Sequence, residues 1–250
     1  MKQMKKLIVC LLLSLTLIAS GFSEGTKESA NNYTLHVYAG VGMSKPVKKV
    51  INAFEKDSNY NVDLTLANFG QIVSQMNITK SGDVFICASH QDLEVITDSV
   101  SSIDDLALHK VSFAVQKGNP KGITSLQDLT RKDVTLVIGN SSTAAGKIAD
   151  KILSDFDLSD KVNIIARQAA AATIYTALER GECDAMINWK NNAGENSQII
   201  DSKLTDKYTR IICAASLKYS ENIEAQSALI KFLKSEKAIR IWESEGYERL

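Results

Sequence analysis

The chain has no surplus of charge. Its 250 residues carry 29 basic and 29 acidic side chains. Without the three lysines of the N-terminal leader, Lys2, Lys5 and Lys6, the balance is 26 basic against 29 acidic residues. Neither total supplies the basic field of a nucleic-acid binder or a polybasic membrane surface. Cysteine is scarce. Beyond the leader only Cys87, Cys183 and Cys213 remain. Their number is odd and their neighbours are apolar. They read as buried free thiols, with room for one disulfide and no metal site. Histidine is scarcer still. His36, His90 and His109 are scattered, and no HExxH, paired CxxC or GxSxG occurs. Those absences leave no zinc centre, metalloprotease helix or nucleophile elbow, so no catalytic residue is assigned. A lone histidine is more often a surface or satisfied core residue than a ligand. Short internal repeats and low-complexity blocks are missing too.

A membrane-spanning run is also lacking. Residues 7–19 are apolar but too short for an ordinary span. With the basic residues before them and Ala19-Ser20-Gly21 after, residues 1–21 read as a signal peptide. The LIASG ending resembles a lipoprotein signal, yet Phe22 stands where the lipid-bearing cysteine belongs. The protein is therefore expected to be exported without a lipid anchor. Residues 22–32 are polar and aperiodic, as a flexible tether is. The roughly 220 residues beyond the leader suffice for one large or two modest domains.

What is present is a repeating order of strand, polar turn and helix. Residues 35–54, LHVYAGVGMSKPVKKVINAF, set the pattern. Leu35, Val37 and Ala39 alternate with His36 and Tyr38 as in a strand. Gly40 and Gly42 suggest a turn that most residues cannot make. Ser44 and Pro46 fit a helix cap and first turn. Val47, Val50, Ile51 and Phe54 mark one buried helical face. Backbone N–H groups at such a helix start favour an anion. NVDLTL (61–66) then leads through Ala67-Asn68-Phe69-Gly70 into a helix over 71–78. DVFICA (83–88) is a continuous apolar run, as in a strand buried on both faces, and Ser89 with Asp92 suits a capped start. KVSFAVQ (110–116), VTLVI (134–138), residues 162–166, DAMINW (184–189) and TRIICAAS (209–216) are further strands. Ser125 caps a short helix over 125–129; longer helices fall over 144–153, 170–180, 221–234 and 236–244, the last two capped by Ser220 and Ser235. The alternation predicts α/β sheets with ligand beyond the carboxyl ends of the strands.

AGVGMSKPV, NFGQIVSQM, GDVFICAS, KGNPKGITSLQDL, GNSSTAAGKIA and RGECDAMINW occur in this order. Together they resemble the molybdate- or tungstate-binding proteins of bacterial ABC importers, over nearly all of the chain beyond the leader. The resemblance implies a two-lobed periplasmic-binding-protein-like fold of type II, with two crossover strands at the hinge and ligand in the cleft between lobes. Lobe 1 would comprise residues 33–112 plus 213–250 and lobe 2 residues 113–212, with crossings near 111–114 and 211–214. It also implies a monomer that hands its ligand to a membrane permease, needing no cofactor beyond the molybdate or tungstate itself.

The family's site residues map onto this chain as follows. The first-turn serine of the better-known molybdate binders falls at Gly42, which keeps a backbone donor and loses a hydroxyl. The second-turn serine falls at Phe69, which cannot donate through its side chain. Either its ring swings away and its N–H serves, or the ring fills part of the pocket; Asn68 beside it offers a side-chain donor. The second-lobe backbone donors fall at Ala145 and Ala171. A strand-end tyrosine falls at Trp189, whose indole N–H remains. Lys190 stands where glycine-bearing relatives often carry an acid. Other readings stay open: Gly42 as a turn glycine, Phe69 and Trp189 as packing residues, Ser141, Ser142 and Thr143 as helix caps. Gly40-Val41-Gly42 begins a dinucleotide fingerprint but has Lys45 at the third glycine. Functional alternatives are the same fold binding a small organic carboxylate, or a sensor ectodomain that does not transport.

Overall fold

The computed structural model describes residues 33–200 and 202–250. The predicted signal peptide and tether lie outside the described residues. Among those described, no helix is long and apolar enough to cross a membrane.

Two five-stranded sheets carry the fold. Strands β1 (Thr34–Gly40), β2 (Asn61–Ala67), β3 (Val84–Cys87), β4 (Val100–His109) and β10 (Arg210–Leu217) form the first, in the order β2-β1-β3-β10-β4. Strands β5 (Val111–Gln116), β6 (Leu136–Gly139), β7 (Ile164–Gln168), β8 (Ala185–Trp189) and β9 (Ser197–Ile200) form the second, in the order β7-β6-β8-β5-β9. Among the described residues, seven α-helices join and cover them: α1 (Ser44–Asp57), α2 (Phe69–Thr79), α3 (His90–Leu93), α4 (Ala144–Asp155), α5 (Ala171–Glu179), α6 (Ile223–Leu233) and α7 (Glu236–Ser244). The first sheet carries a core on each face and the second sheet has its own, and the mixed sheets with flanking helices define the two-lobed type II fold.

The first sheet is covered on both faces. Leu35, Val37 and Ala39 pack with the inner residues of α1 and with Leu229 and Trp242 of α6 and α7. Tyr38, pointing to the other face, packs with Ile72 and Met76 of α2 and with Phe85. The alternation over residues 35–39 therefore marks two cores, not a core and a solvent face. β3, at the centre of the first sheet, and β6, an interior strand of the second, are buried at every position, so their continuous apolar runs are required by helices above and below.

Asp83 ties the first lobe together at the start of β3. Its buried carboxylate accepts from Tyr33 Oη at 3.2 Å and the His36 N–H at 2.7 Å, and from Ser220 Oγ. Its carbonyl accepts from Gln226 Nε2 at 2.7 Å. Ser220 is thus not the cap of α6; Asn222 is, accepting from the Ala225 N–H. Ser235 does cap α7. At α1 the cap is Met43, without a side-chain bond, and Ser44 is already helical.

Candidate functional site

The sheet topology decides where the polar turns lie. β1 and β2 are parallel neighbours, with Gly40 opposite Ala67. The turn at Gly42 and the start of α2 at Asn68 and Phe69 therefore sit side by side at one end of the first sheet. β6 is parallel to both β7 and β8, with Gly139 opposite Gln168. The turn at residues 140–143, the start of α5 at Ala171 and the end of β8 at Trp189 therefore share one end of the second sheet. β4 runs parallel to β3 because both are antiparallel to β10. It reaches that same end of the first sheet at His109. After Lys110, β5 begins opposite Trp189, at the turn-bearing end of the second sheet. The chain returns at the same ends, from Ile200 of β9 to Arg210 opposite His109. Both groups of turns thus occupy the sheet ends that the hinge joins.

Each candidate residue has a definite local setting. Gly42 lies in a 3-10 turn (Val41–Met43) that leads directly into α1. It is exposed, its φ is not positive, and a Cβ there would meet nothing within 4 Å. The turn does not require glycine at 40 either, where φ is −64°. Asn68 is the exposed N-cap of α2, and its N–H donates to Gln71 Oε1 at 3.2 Å. Phe69 opens α2 with its ring turned to the core, stacked on Phe85 at 6.3 Å between centroids. The ring swings inward while the N–H stays at the helix start, where no intrahelical acceptor exists.

In the second lobe, Thr143 caps α4 by accepting from the Gly146 N–H at 3.1 Å. Ala145 is buried in that first turn. Gly139 and Gly146 are the glycines the geometry demands. A Cβ on Gly146 would lie 2.0 Å from the Asn140 carbonyl oxygen, and one on Gly139 would lie 2.4 Å from the Gly146 nitrogen. Only bare backbone lets α4 start this close to the end of β6. Ser142 bonds Asn140 Oδ1 at 3.3 Å, and Ser141 accepts from Arg167 at 3.0 Å while Arg167 also clasps Asp150. Ala171 is fixed by Asn188, whose Nδ2 donates to its carbonyl at 2.8 Å. Asn188 is fully buried, and its Oδ1 accepts the Trp189 N–H at 2.8 Å, so one side chain sets both positions.

Trp189 is buried in the hinge. Its ring stacks on His109 at 4.0 Å, and the Arg210 guanidinium lies 5.5 Å from its centroid. His109 in turn faces Tyr247 at 4.9 Å, and Tyr247 meets Trp242 edge-on at 5.0 Å. Both tryptophans of the chain belong to this stack. His109 Nε2 lies 3.2 Å from Asn191 Oδ1, while its Nδ1, the Tyr247 hydroxyl and the Trp242 N–H are buried without a partner. Burial depresses the His109 pKa to about 4, against the pull of Asn191 and with Arg210 adding to the depression. Lys190 is held by Glu248, which also pairs with Lys110 at 3.0 Å. The two lysines lower the Glu248 pKa, Lys190 most of all.

The sequence pattern pointed to the turns but not to their supports. Asn188, reaching Ala171, and the His109–Tyr247–Glu248 hinge act through residues distant in sequence, while the Gly139–Gly146 contact is local. Of these only the glycine spacing in GNSSTAAG offered a signal. Among the described residues no group of three or more His, Cys, Asp or Glu could hold a metal ion. A groove of about 770 Å³ lies elsewhere, lined by Ser101, Ser102 and Gln226 near the start of β4, away from the turns.

Two α/β lobes, hinged by crossing strands and opening polar turns toward each other's sheet ends, define a binding protein of the type II class. Residues 35–248 match the model of the bacterial extracellular solute-binding protein family, and the chain belongs to that family. A relative from Haemophilus influenzae, named for binding alone, is 29% identical over 223 residues, covering 85% of this chain and 90% of that one. The molybdate-binding protein of Mycobacterium tuberculosis is 23% identical over 165 residues, covering 63% of this chain and 61% of that one. Among solved structures, the substrate binding domain of a protein assigned to a molybdenum ABC transporter of Clostridium difficile superposes with a TM-score of 0.73. It is 20% identical and covers 88% of this chain and 100% of that one. Other solved neighbours, with TM-scores of 0.61 to 0.65, bind sulfate, iron or L-phospholactate. At these identities the solved structures share the fold and leave the ligand open.

Proposed function

We propose that the protein captures a tetrahedral oxyanion, molybdate or tungstate, between its lobes and delivers it to the permease of an ABC importer. The observation that carries this reading is the convergence of three polar turns, each leading into a helix, on the sheet ends joined by the hinge. A fourth helix, α5, starts there as well. A tetrahedral oxyanion offers acceptors and almost no donors, and N–H groups aimed at it replace water without a fixed cation. Each hydrogen bond to a charged group contributes roughly 1.5–3 kcal/mol, and the helix starts add a smaller dipole term. Gly42, Phe69, Ala145 and Ala171 would supply backbone donors, and Asn68 its side-chain amide. Trp189 would supply the indole N–H, which bonds nothing else among the described residues.

Two further observations fit. The lysines at the hinge are engaged by Glu248, so dipoles would do most of the holding, with the Arg210 guanidinium beside Trp189 as the nearby positive charge. The inward Phe69 ring leaves the first-lobe turn unblocked. The molybdate and molybdenum names of relatives and neighbours agree with this ligand. A small organic anion is the second reading, favoured by the neighbour that holds L-phospholactate. A thermal-shift panel with molybdate, tungstate, sulfate, phosphate and small carboxylates decides between them. A ligand bound by the folded state alone raises Tm with its concentration over Kd. The expected result is a shift with molybdate and tungstate only. A shift with carboxylates alone would replace the oxyanion reading, and calorimetry showing no heat with either metal oxyanion would remove it.

A further inference from the structure

We propose that Cys87 and Cys213 are joined by a disulfide in the exported protein, stapling the return strand β10 to β3 within the first lobe. The two residues stand directly opposite each other in the antiparallel β3–β10 pair. Opposed residues in such a pair have Cα atoms about 4.5 or 5.5 Å apart, inside the span of about 4.4–6.8 Å that a disulfide bridges. Both side chains point to the same face and belong to one core, with Tyr38, Phe85 and Leu217. As thiols their sulfurs lie 3.2 Å apart, with Cys87 also reaching the Ser89 carbonyl. Modest side-chain rotation brings the sulfurs to bonding distance without moving either strand.

The position gives the bond a purpose. The two cysteines are separated by 126 residues, an interval that contains all five strands of the second sheet. β10 carries a register irregularity against β4 between Ile212 and Cys213. A cross-link to β3 at that residue fixes the register on the other side of the strand, just past the hinge. Closing so long a loop restricts the unfolded chain strongly. Cys183 lies in the core of the other lobe and serves as an internal control.

The chemistry is disulfide exchange in an oxidising compartment, which an extracellular binding protein reaches. The thiolate of one cysteine attacks a disulfide donor, such as an extracytoplasmic thiol oxidase in its disulfide form. That forms a mixed disulfide and releases one donor thiolate. The second cysteine, as thiolate, attacks the protein sulfur of the mixed disulfide and releases the other. Two protein thiols lose two protons and two electrons, and the donor disulfide becomes two thiols. The neighbouring Cys213 thiol, and burial after it, push the Cys87 pKa far up once the core has formed, so exchange belongs to the chain before it packs.

The test is a thiol count on the full mature protein, exported into a bacterial periplasm and purified without reductant. The protein is unfolded in guanidinium with iodoacetamide and its intact mass measured. The expected mass carries one carbamidomethyl group, at Cys183, rising to three after prior reduction. A non-reducing digest is expected to contain the Cys87 and Cys213 peptides linked. Three labels without reductant would overturn the proposal, as would a bridge to Cys183. Reduction is expected to lower Tm by several degrees. This count does not depend on any ligand, so its failure leaves the oxyanion reading standing, and the reverse holds too.

Discussion

Nothing in the backbone at Gly42, where the resemblance to molybdate-binding proteins would put a serine, asks for glycine. Its φ is ordinary and the space beside it is open. Gly42→Ser should therefore fold as well as the parent. If the turn serves an oxyanion, the added hydroxyl contributes one more charge-assisted bond, and affinity by calorimetry should rise about tenfold. Unchanged affinity would place residue 42 outside the contact shell. Phe69 behaves differently. Its ring belongs to the core beneath α2, so Phe69→Ser opens a partial cavity and should cost about 2 kcal/mol in chemical denaturation. Affinity of the folded variant should hold or rise, because the N–H at the start of α2 is unchanged. A large loss of affinity in protein shown to be folded would mean that the ring itself lines the pocket. The sequence left these two substitutions ambiguous because a residue's identity does not say which way its side chain leaves a helix start.

At the scale of elements, the central strands and the helices were legible because burial stamps a period on them. β4 and β9 were not read from the sequence. Both are edge strands, as are β2 and β7, which were read; β4 differs in carrying Ser101, Ser102, Asp104 and Asp105, and β9 in spanning four residues. An edge needs no continuous apolar run and is often charged against further pairing, so its pattern resembles a loop. The end of β4 nevertheless supplies His109, the residue with the clearest pH signature. Its pKa falls from the ordinary 6.5 to about 4 on folding. Between those values the unfolded chain binds a proton that the folded protein refuses. Stability contributed by the neutral imidazole is therefore present above pH 6.5 and lost as pH falls toward 4. The full loss approaches about 3 kcal/mol. His109→Phe keeps a ring between Trp189 and Tyr247 and removes the titration. Its denaturation free energy should decline less than the parent's between pH 7 and 4.5. Equal declines would assign the acid sensitivity to other groups.

At the scale of the molecule, the two crossing strands alone would leave the lobes free to rotate, since hinge motion needs only a few backbone angles to change. The residues after α7 add a third connection. Leu108 and Glu248 exchange backbone hydrogen bonds at 2.7 and 3.0 Å, joining the tail to the end of β4. From there the Glu248 carboxylate reaches Lys110, between the sheets, and Lys190, just past β8. The tail also presses Gly246 against Asn191, where a Cβ would come within 2.7 Å of Asn191 Cα. None of this was visible in the sequence, because the partners lie 55 residues or more apart and no periodicity links a tail to a distant strand end. The carboxylate is one-third exposed, so its two ion pairs contribute little to global stability. Their effect should fall on the angle between lobes. Glu248→Gln should leave Tm nearly unchanged and widen the ligand-free protein, read as a larger radius of gyration by small-angle scattering. High salt should produce the same widening in the parent by screening the pairs and add nothing to the variant. A variant as compact as the parent at every salt concentration would show that the crossing strands and the aromatic stack of Trp189, His109 and Tyr247 set the angle without Glu248.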